Sequence, residues 1–209
     1  MRSAIVLAGG SSSRLGYDKG LRLVAGKPLV SYAVDALQPL MEEVILVVGS
    51  EAQQAPYEAC LPSSVKVLVD RYPGGSPLIG LITGLQAANG EYAFVTACDM
   101  PFIRREPVEL LFQRAKGMNG AVFIKPNGWI EPLMAVYRVA GCLPEAVRLF
   151  RANDLRIRMV LRNLRDVEYV PLSGLDFETS LLFYDTDTEE KIAFAEEVIE
   201  GKRVPSPPV

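Results

Sequence analysis

Residues 7–20 combine glycines, serines and two basic side chains directly after a short apolar run. Gly9 and Gly10 let the backbone approach a ligand closely and turn its N–H groups toward an anion. The serines add hydroxyl donors, and Arg14 and Lys19 add positive charge. A flexible glycine-serine turn is the alternative interpretation, and neither a Walker A loop nor a Gly-x-Gly-x-x-Gly spacing is present. The two basic residues at the end of a predicted strand favour phosphate binding.

Two carboxylates follow predicted strands in the same manner. Asp99 comes after the apolar run 92–97, where a parallel strand would deliver it to the ligand-binding edge of a sheet. A lone carboxylate there could bind Mg²⁺, which takes oxygen ligands and bridges phosphates. It could equally be a capping residue that closes the next turn. Asp70 ends the run 65–69 and is either a second carboxylate at this edge or a turn residue.

Three further features have an ordinary interpretation beside a functional one. Ser76 and Pro77 open a helix whose first amides could face the same cleft, or simply start the helix. Cys98 is expected to be a small buried residue, because no basic neighbour would activate it. Trp129 is expected in packing or at the surface rather than in stacking on a ligand. A basic run lies on the late predicted helices and comprises Arg156, Arg158, Arg162 and Arg165. Such a run is usually a solvated face, and binding of an anionic co-substrate is the alternative.

The composition excludes several kinds of chemistry. The chain has 209 residues and no histidine, so it holds no Ser-His-Asp triad, Cys-His pair or imidazole proton shuttle. Its formal net charge of −3 predicts no nucleic-acid partner. No apolar stretch approaches the ~18 residues that span a membrane, and three dispersed cysteines are typical of a reduced compartment. We therefore predict a cytoplasmic protein with no membrane contact.

Short β-branched runs alternate with longer stretches of helical periodicity, and this alternation predicts the fold. Fully apolar strands joined by helical crossovers form a parallel sheet that is covered on both faces. The prediction is an α/β fold, a Rossmann-like three-layer sandwich with a mostly parallel central sheet and helices on both faces. One domain is expected over residues 1–202, with a disordered tail over 203–209. Predicted strands cover 4–7, 44–48, 65–69, 92–97, 121–125, 132–137 and 167–171, and predicted helices cover 28–40, 52–61, 78–89, 107–116, 144–151, 156–163 and 188–200.

The stretches above resemble, in order and spacing, the nucleotidyltransferases of the molybdenum cofactor guanylyltransferase family. The likeness covers about residues 1–200, and its first stretch is the most specific. Later segments such as 131–137 and 187–190 are also similar. It is carried by Leu7-Ala8-Gly9-Gly10, Ser13-Arg14-Leu15-Gly16, Asp18-Lys19, Gly26-Lys27-Pro28-Leu29, Asp70, Ser76-Pro77-Leu78-Ile79-Gly80 and Cys98-Asp99-Met100-Pro101-Phe102.

The resemblance implies an activity and a set of site residues. The activity is transfer of GMP from GTP to the terminal phosphate of molybdopterin, with release of pyrophosphate and with Mg²⁺ as the metal. Asp99 would hold the metal, and Arg14, Lys19 and Asp99 would be catalytic. Transient contact with molybdoenzymes or cofactor-synthesis proteins is a further expectation. Nucleotide contacts would come from Leu7, Ala8, Gly9, Lys19, Asp70 and Asp99, to which the loop and the helix start add Gly10, Ser11, Pro77, Leu78 and Gly80.

The sequence departs from the family pattern at two places. Residues 47–50 lack the asparagine that the family often carries after the second strand. Asp185 and Asp187 stand where the family tends to have asparagine, and they would repel an anionic substrate unless they bind a cation or lie apart from it. Two alternatives therefore stay open: a nucleotidyltransferase with another base or acceptor, namely CMP to molybdopterin or a nucleotide to a sugar phosphate, and a non-catalytic nucleotide-binding module on the same fold.

The missing histidine favours a phosphate as the acceptor. A phosphate monoester has its second pKa near 6 and is mostly a dianion at neutral pH. Such a nucleophile needs no general base, whereas transfer to a hydroxyl does.

Overall fold

The computed structural model describes residues 1–9, 18–72 and 74–204. Within them, seven strands form one central sheet and two short strands form a separate hairpin. The strands are β1 (Arg2–Leu7), β2 (Leu23–Val24), β3 (Lys27–Pro28), β4 (Glu43–Val48), β5 (Val65–Val69), β6 (Tyr92–Ala97), β7 (Gly120–Ile124), β8 (Ile130–Arg138) and β9 (Val167–Pro171). The α-helices are α1 (Leu29–Leu37), α2 (Glu51–Cys60), α3 (Pro77–Ala87), α4 (Arg105–Arg114), α5 (Val139–Arg151), α6 (Arg158–Asn163) and α7 (Glu189–Ile199).

The central sheet has the strand order β5-β4-β1-β6-β8-β7-β9. Strand β8 runs antiparallel to both of its neighbours, β6 and β7, and the remaining pairs are parallel. The C-terminal ends of β1, β4, β5 and β6 therefore meet at one edge, which β8 enters with its first residues. The chain passes from β1 to β4 and β5 on one side of β1 and then returns from β5 to β6 on the other side, so a crevice opens between β1 and β6 at this edge.

Side chains alternate across the sheet and build a core on each face. In β1, Ala4 and Val6 pack into the core that also holds Val34 of α1 and Leu111 of α4. Ile5 belongs to the opposite core, which α3, α5 and α6 cover. All five side chains are fully buried. This arrangement confirms the predicted three-layer sandwich with a mostly parallel sheet.

The hairpin β2–β3 is an element that the sequence pattern did not predict. Its turn places Ala25 and Gly26 at φ of 47° and 78°, the left-handed geometry of a tight two-residue turn. Pro28 ends β3 and caps α1, so the predicted start of this helix at 28 was one residue early. A short 3₁₀ turn, Gln38–Leu40, takes the end of the predicted helix 28–40.

Helix α7 packs on this hairpin rather than on the central sheet. Val24 and Leu29 share a buried cluster with Ile192 and Phe194 of α7. Arg203 follows α7 and donates its backbone N–H to the carbonyl of Glu197. Residues 205–209 lie outside the described part of the chain, so the disorder of the tail stays a prediction.

The longest α-helix in the described residues is α5, with 13 residues. None of the helices described here has both the length and the apolar character that crossing a membrane requires.

Candidate active site

A pocket of about 820 Å³, counted out to open solvent, lies at the C-terminal edge of the sheet. It sits at the carboxyl ends of the neighbouring strands β1 and β6, which is the expected ligand position in a sheet of this topology. Apolar walls and a few polar side chains line it, an arrangement typical of nucleotide and cofactor pockets. Its lining consists of Leu7, Ala8, Gly9, Asp18, Lys19, Val47, Asp70, Ser76, Pro77, Gly80, Ala97, Cys98, Asp99 and Leu133.

Backbone hydrogen bonds just past the strand ends fix the residues at the pocket floor. The N–H of Ala8 donates to the carbonyl of Val47 at 2.8 Å, and the N–H of Cys98 donates to that of Leu7 at 3.0 Å. The N–H of Asp70 donates to the carbonyl of Val48 at 2.8 Å. The floor is therefore a rigid extension of the sheet.

Lys19 and Asp99 form an ion pair across the pocket. The Nζ atom of Lys19 lies 3.2 Å from Oδ2 of Asp99, and the two side chains are 20% and 21% exposed. Asp99 follows β6 and Lys19 follows the loop after β1, so the pair spans the point where the strand order reverses. The carbonyl of Asp99 accepts hydrogen bonds from the backbone N–H and the hydroxyl of buried Thr186, at 3.0 Å and 3.2 Å. This part of the pocket is fixed and carries both signs of charge.

Asp70 presents an unsatisfied oxygen to the same pocket. Its Oδ1 atom is buried and has no hydrogen-bond partner among the described residues. Burial raises the pKa of Asp70 from 3.8 to about 6, although a hydrogen bond from Thr83 opposes this rise. The Oγ atom of Ser76 is likewise buried without a partner in the described part of the chain. Because unpaired buried polar atoms cost free energy, two of them in one pocket indicate a ligand that would pair with them.

Two glycines bring the backbone close to this carboxylate. A Cβ built on Gly9 would lie 3.3 Å from Oδ2 of Asp70, and one built on Gly80 would lie 3.1 Å from Cδ2 of Leu7. Gly80 therefore lets the start of α3 approach the end of β1. Any side chain at either position would fill space next to Asp70.

Asp18 lies beside Lys19 and uses both of its carboxylate oxygens. Oδ2 accepts a hydrogen bond from the Nε2 atom of Gln53 at 2.7 Å. Oδ1 accepts from the hydroxyl of Tyr57 and from the N–H of Gly20, the latter at 3.2 Å. Asp18 therefore joins the segment that carries Lys19 to helix α2.

The two aspartates that depart from the family pattern bind an internal cation. The Nζ atom of Lys191 lies 2.7 Å from Oδ1 of Asp185 and 2.7 Å from Oδ1 of Asp187. The hydrogen bond from Lys191 holds the pKa of Asp187 below its usual range. These carboxylates would repel an anionic substrate unless they bind a cation or lie apart from it. The structure meets the first condition, because they bind the ammonium group of Lys191.

Glu131, at the start of β8, adds a further carboxyl near this end of the pocket. Its carboxylate accepts the backbone N–H of Leu133 at 3.0 Å. Burial raises its pKa, and the nearby negative charges of Asp185 and Asp99 act in the same direction.

Most of the predicted nucleotide contacts lie together in the pocket. Leu78 is different, because its side chain is fully buried in the core that α3 covers. Three predicted residues, Gly10, Ser11 and Arg14, lie outside the described residues. The predicted residues that line the pocket are Leu7, Ala8, Gly9, Lys19, Asp70, Pro77, Gly80 and Asp99.

Some lining residues were not among the predicted contacts. Asp18 stands next to a predicted residue, and this proximity was a usable signal. Leu133 enters the site only because β8 runs antiparallel, which its apolar pattern does not reveal. Gln53 and Tyr57 do not line the described part of the pocket but bond to Asp18 across 35 and 39 residues of sequence, and no local motif marks them.

The remaining candidates have structural roles. Cys98 is buried, and burial raises the pKa of its thiol, so its predicted role as a small buried residue is confirmed. Trp129 packs edge-on against Phe183 and lies beneath the ammonium group of Lys125. Arg156 is exposed and pairs with Asp154, as a solvated basic face would.

A family model described as a MobA-like NTP transferase domain matches residues 4–167. A probable molybdenum cofactor guanylyltransferase from Natronomonas pharaonis is 32% identical over 197 residues, which cover 94% of this chain and 97% of that protein. A molybdenum cofactor guanylyltransferase from Pseudomonas putida is 36% identical over 147 residues, which cover 69% of this chain and 75% of that one.

A solved structure shares the fold. Molybdopterin-guanine dinucleotide biosynthesis protein A from Archaeoglobus fulgidus superposes with a TM-score of 0.80 at 24% identity, and the match covers 96% of this chain and 100% of that one. The family model covers most of the chain, and the relative from Natronomonas pharaonis is matched over nearly its whole length. The chain therefore belongs to the MobA-like NTP transferase family and is a nucleotidyltransferase.

Proposed function

We propose that this protein transfers GMP from GTP to the terminal phosphate of molybdopterin and releases pyrophosphate. One observation carries the proposal: a single pocket at the sheet edge presents the Lys19–Asp99 pair and an unpaired Asp70 oxygen. The names of the related proteins support guanine as the base and the molybdenum cofactor as the acceptor.

The polar groups orient the nucleotide within the pocket. A carboxylate accepts hydrogen bonds and repels phosphate, so Asp70 faces a part of the ligand that donates. Guanine offers two adjacent donors, N1–H and the N2 amino group, which match the two oxygens of a carboxylate. Lys19 provides the charge that phosphates require. The proposed arrangement places the base near Asp70 and Ser76 and the triphosphate near Lys19.

Asp99 fits a magnesium ion that arrives with the triphosphate. It offers hard oxygen donors, and among the residues that the structure describes no three Asp, Glu, Cys or His side chains cluster tightly enough to form a cage. Mg²⁺ typically binds through one or two carboxylates and completes its shell with phosphate oxygens and water. When bound, the ion would reduce the charge on the phosphates and thereby favour departure of pyrophosphate.

The chain's own residues act by binding, positioning and neutralising charge. An oxygen of the acceptor phosphate attacks the α-phosphorus of GTP, and the bond from the α-phosphorus to the oxygen that bridges to the β-phosphorus breaks. Pyrophosphate leaves with that oxygen. The acceptor phosphate is mostly a dianion at neutral pH, so no proton has to be removed from it before it attacks. Lys19, and Arg14 in the proposed set, would neutralise the charge that develops on the leaving group.

The other proposed contacts follow from the same arrangement. Leu7, Ala8 and Gly9, with Gly10 and Ser11 beyond the described part of the loop, would contact the nucleotide through their backbone. Pro77, Leu78 and Gly80 would contribute the start of α3, where Leu78 could take part only through its main chain. A cytoplasmic location and transient contact with molybdoenzymes or cofactor-synthesis proteins complete the proposal.

A nucleotide panel tests the choice of base. Thermal unfolding would be followed with Mg²⁺ and GTP, CTP, UTP or ATP, each in excess. A ligand at 100 times its dissociation constant adds about 2.7 kcal/mol, which corresponds to roughly 5–10 °C for a chain of this size. A clear shift with GTP is expected, and a shift with CTP but not GTP would overturn the choice of guanine.

Pyrophosphate release tests the reaction itself. Incubation with GTP, Mg²⁺ and molybdopterin should release pyrophosphate and form a dinucleotide, whereas GTP alone should not. Binding of GTP without any release in the complete mixture would contradict the proposed reaction and favour a non-catalytic nucleotide-binding module.

A further inference from the structure

We infer that Gln53 and Tyr57 of α2 are positioning residues for Lys19 and act on it through Asp18. We call Asp18, Gln53 and Tyr57 the Asp18 clamp. Lys19 touches the substrate in the proposed function, on which this inference rests, whereas neither α2 residue lines the described part of the pocket.

Gln53 joins the end of β4 to Asp18. Its Oε1 atom accepts the N–H of Gly49 at 2.9 Å and the hydroxyl of Ser50 at 3.3 Å. Its Nε2 atom donates to Oδ2 of Asp18 at 2.7 Å. Both ends of the amide are therefore used, and this fixes the orientation of the side chain. Because Gly49 immediately follows β4, Gln53 links the segment that carries Lys19 to the rigid sheet.

Tyr57 holds the chain on both sides of Lys19. Its side chain is fully buried, and its hydroxyl donates to Oδ1 of Asp18. A Cβ on Gly20 would collide with that hydroxyl, so the backbone after Lys19 lies directly against Tyr57. Residues 18 and 20 are thus both fixed by one buried phenol.

The clamp also determines where the negatively charged carboxylate of Asp18 lies. Asp18 lines a pocket that is proposed to hold a triphosphate, where a free carboxylate would repel the ligand. It also neighbours Lys19 in sequence and would compete with Asp99 for the ammonium group. The hydrogen bonds from Gln53 and Tyr57 hold the carboxylate toward α2. Lys19 is thereby left to pair with Asp99 at 3.2 Å.

The test compares two variants of the full-length protein with a matched control. Gln53→Ala removes the amide bridge, and Tyr57→Phe removes only the hydroxyl. Gln54→Ala is the control, because Gln54 is adjacent in α2 but bonds to Glu58. Both clamp variants should lower kcat/KM for GTP about tenfold, because a misplacement of about 1 Å can cost about 100-fold and these variants should shift Lys19 by less. The KM for molybdopterin and the rate with Gln54→Ala should stay within about twofold of the wild type.

A double-mutant cycle separates positioning of Lys19 from a general loss of structure. Gln53→Ala and Tyr57→Phe would be combined with Lys19→Ala, and GTP affinity in the presence of Mg²⁺ would be measured by calorimetric titration in every variant, alongside turnover. If the clamp acts through Lys19, neither substitution should weaken the Lys19→Ala protein further.

Each other outcome overturns the inference. Equal losses in both backgrounds would mean that the clamp residues stabilise the pocket independently of Lys19. Wild-type rates and affinity in both Gln53→Ala and Tyr57→Phe would mean that the bonds to Asp18 have no functional effect. A wild-type protein that neither binds nor turns over GTP would overturn the proposed function, and this inference with it.

Discussion

Replacing Asp70 by asparagine should stabilise the free protein while weakening GTP binding. Asp70 is ionised at pH 8, yet its Oδ1 atom is buried without a partner in the described part of the chain. Asparagine keeps the shape and an acceptor for the Thr83 hydroxyl but removes the buried charge. The same substitution takes away the charged acceptor that we propose for the guanine edge.

The size of the stabilisation follows from the raised pKa of Asp70. The rise from 3.8 to about 6 corresponds to about 3 kcal/mol, at about 1.4 kcal/mol per pH unit. The carboxyl is only partly buried, so screening by solvent reduces the expected gain to about 1–2 kcal/mol. For a chain of this length, that gain raises Tm by about 2–8 °C. The loss of a charge-assisted hydrogen bond should weaken GTP binding by about 10- to 100-fold.

The pH dependence has a definite sign. Between pH 4 and 6 the folded protein retains the Asp70 proton that the unfolded chain has lost, so raising the pH through this window lowers the free energy of unfolding. The advantage of Asp70→Asn should therefore be larger at pH 8 than at pH 5.

Thermal and urea unfolding at both pH values, with and without GTP and Mg²⁺, would measure these effects. Asp176→Asn serves as the control, because Asp176 is exposed. Equal stability of Asp70→Asn and the wild type at pH 8, or undiminished GTP binding by the variant, would refute the reasoning.

Three further predictions concern the other end of the pocket. Asp99→Ala should lower turnover at least about 100-fold while leaving the far-ultraviolet circular dichroism and cooperative unfolding intact; near-normal pyrophosphate release would contradict its proposed role. Thr186→Val removes the hydroxyl that bonds the Asp99 carbonyl, and it should lower kcat about threefold to tenfold with little change in GTP affinity, which steady-state kinetics and titration would show. Lys191→Ala leaves Asp185 and Asp187 without their shared cation and should raise the KM for GTP severalfold at low salt; an equal effect in 1 M salt would exclude an electrostatic origin.

The central sheet could be predicted from sequence because its signals are local. The runs at 65–69, 92–97 and 167–171 coincide with β5, β6 and β9, and each contains valine, a β-branched residue that favours strands. Asp70 and Asp99 follow two of these strands, and the carboxyl ends of parallel strands lie at one edge of a sheet. The sequence therefore predicts that both carboxylates lie at the same edge.

What sequence reasoning did not provide depends on long-range contacts. The hairpin β2–β3 has only two residues in each strand, too few for a periodic pattern. The antiparallel direction of β8 depends on a pairing with β6 across more than 30 residues of sequence. The Asp18 clamp and the bridge by Lys191 are contacts between polar side chains, whose partners no pattern of hydrophobicity records.

The association of α7 with the hairpin β2–β3 has a consequence for the order in which the protein is made. Val24 and Leu29, which follow the Lys19 segment, are buried by side chains of α7 that lie about 170 residues further along. Glu189 and Glu196 of the same helix bond to Arg22 and to the N–H of Ala25. During synthesis, this apolar patch must stay open until α7 has left the ribosome. The segment that carries Lys19 is translated well before α7, yet the apolar residues that follow it reach their final surroundings only once α7 is available.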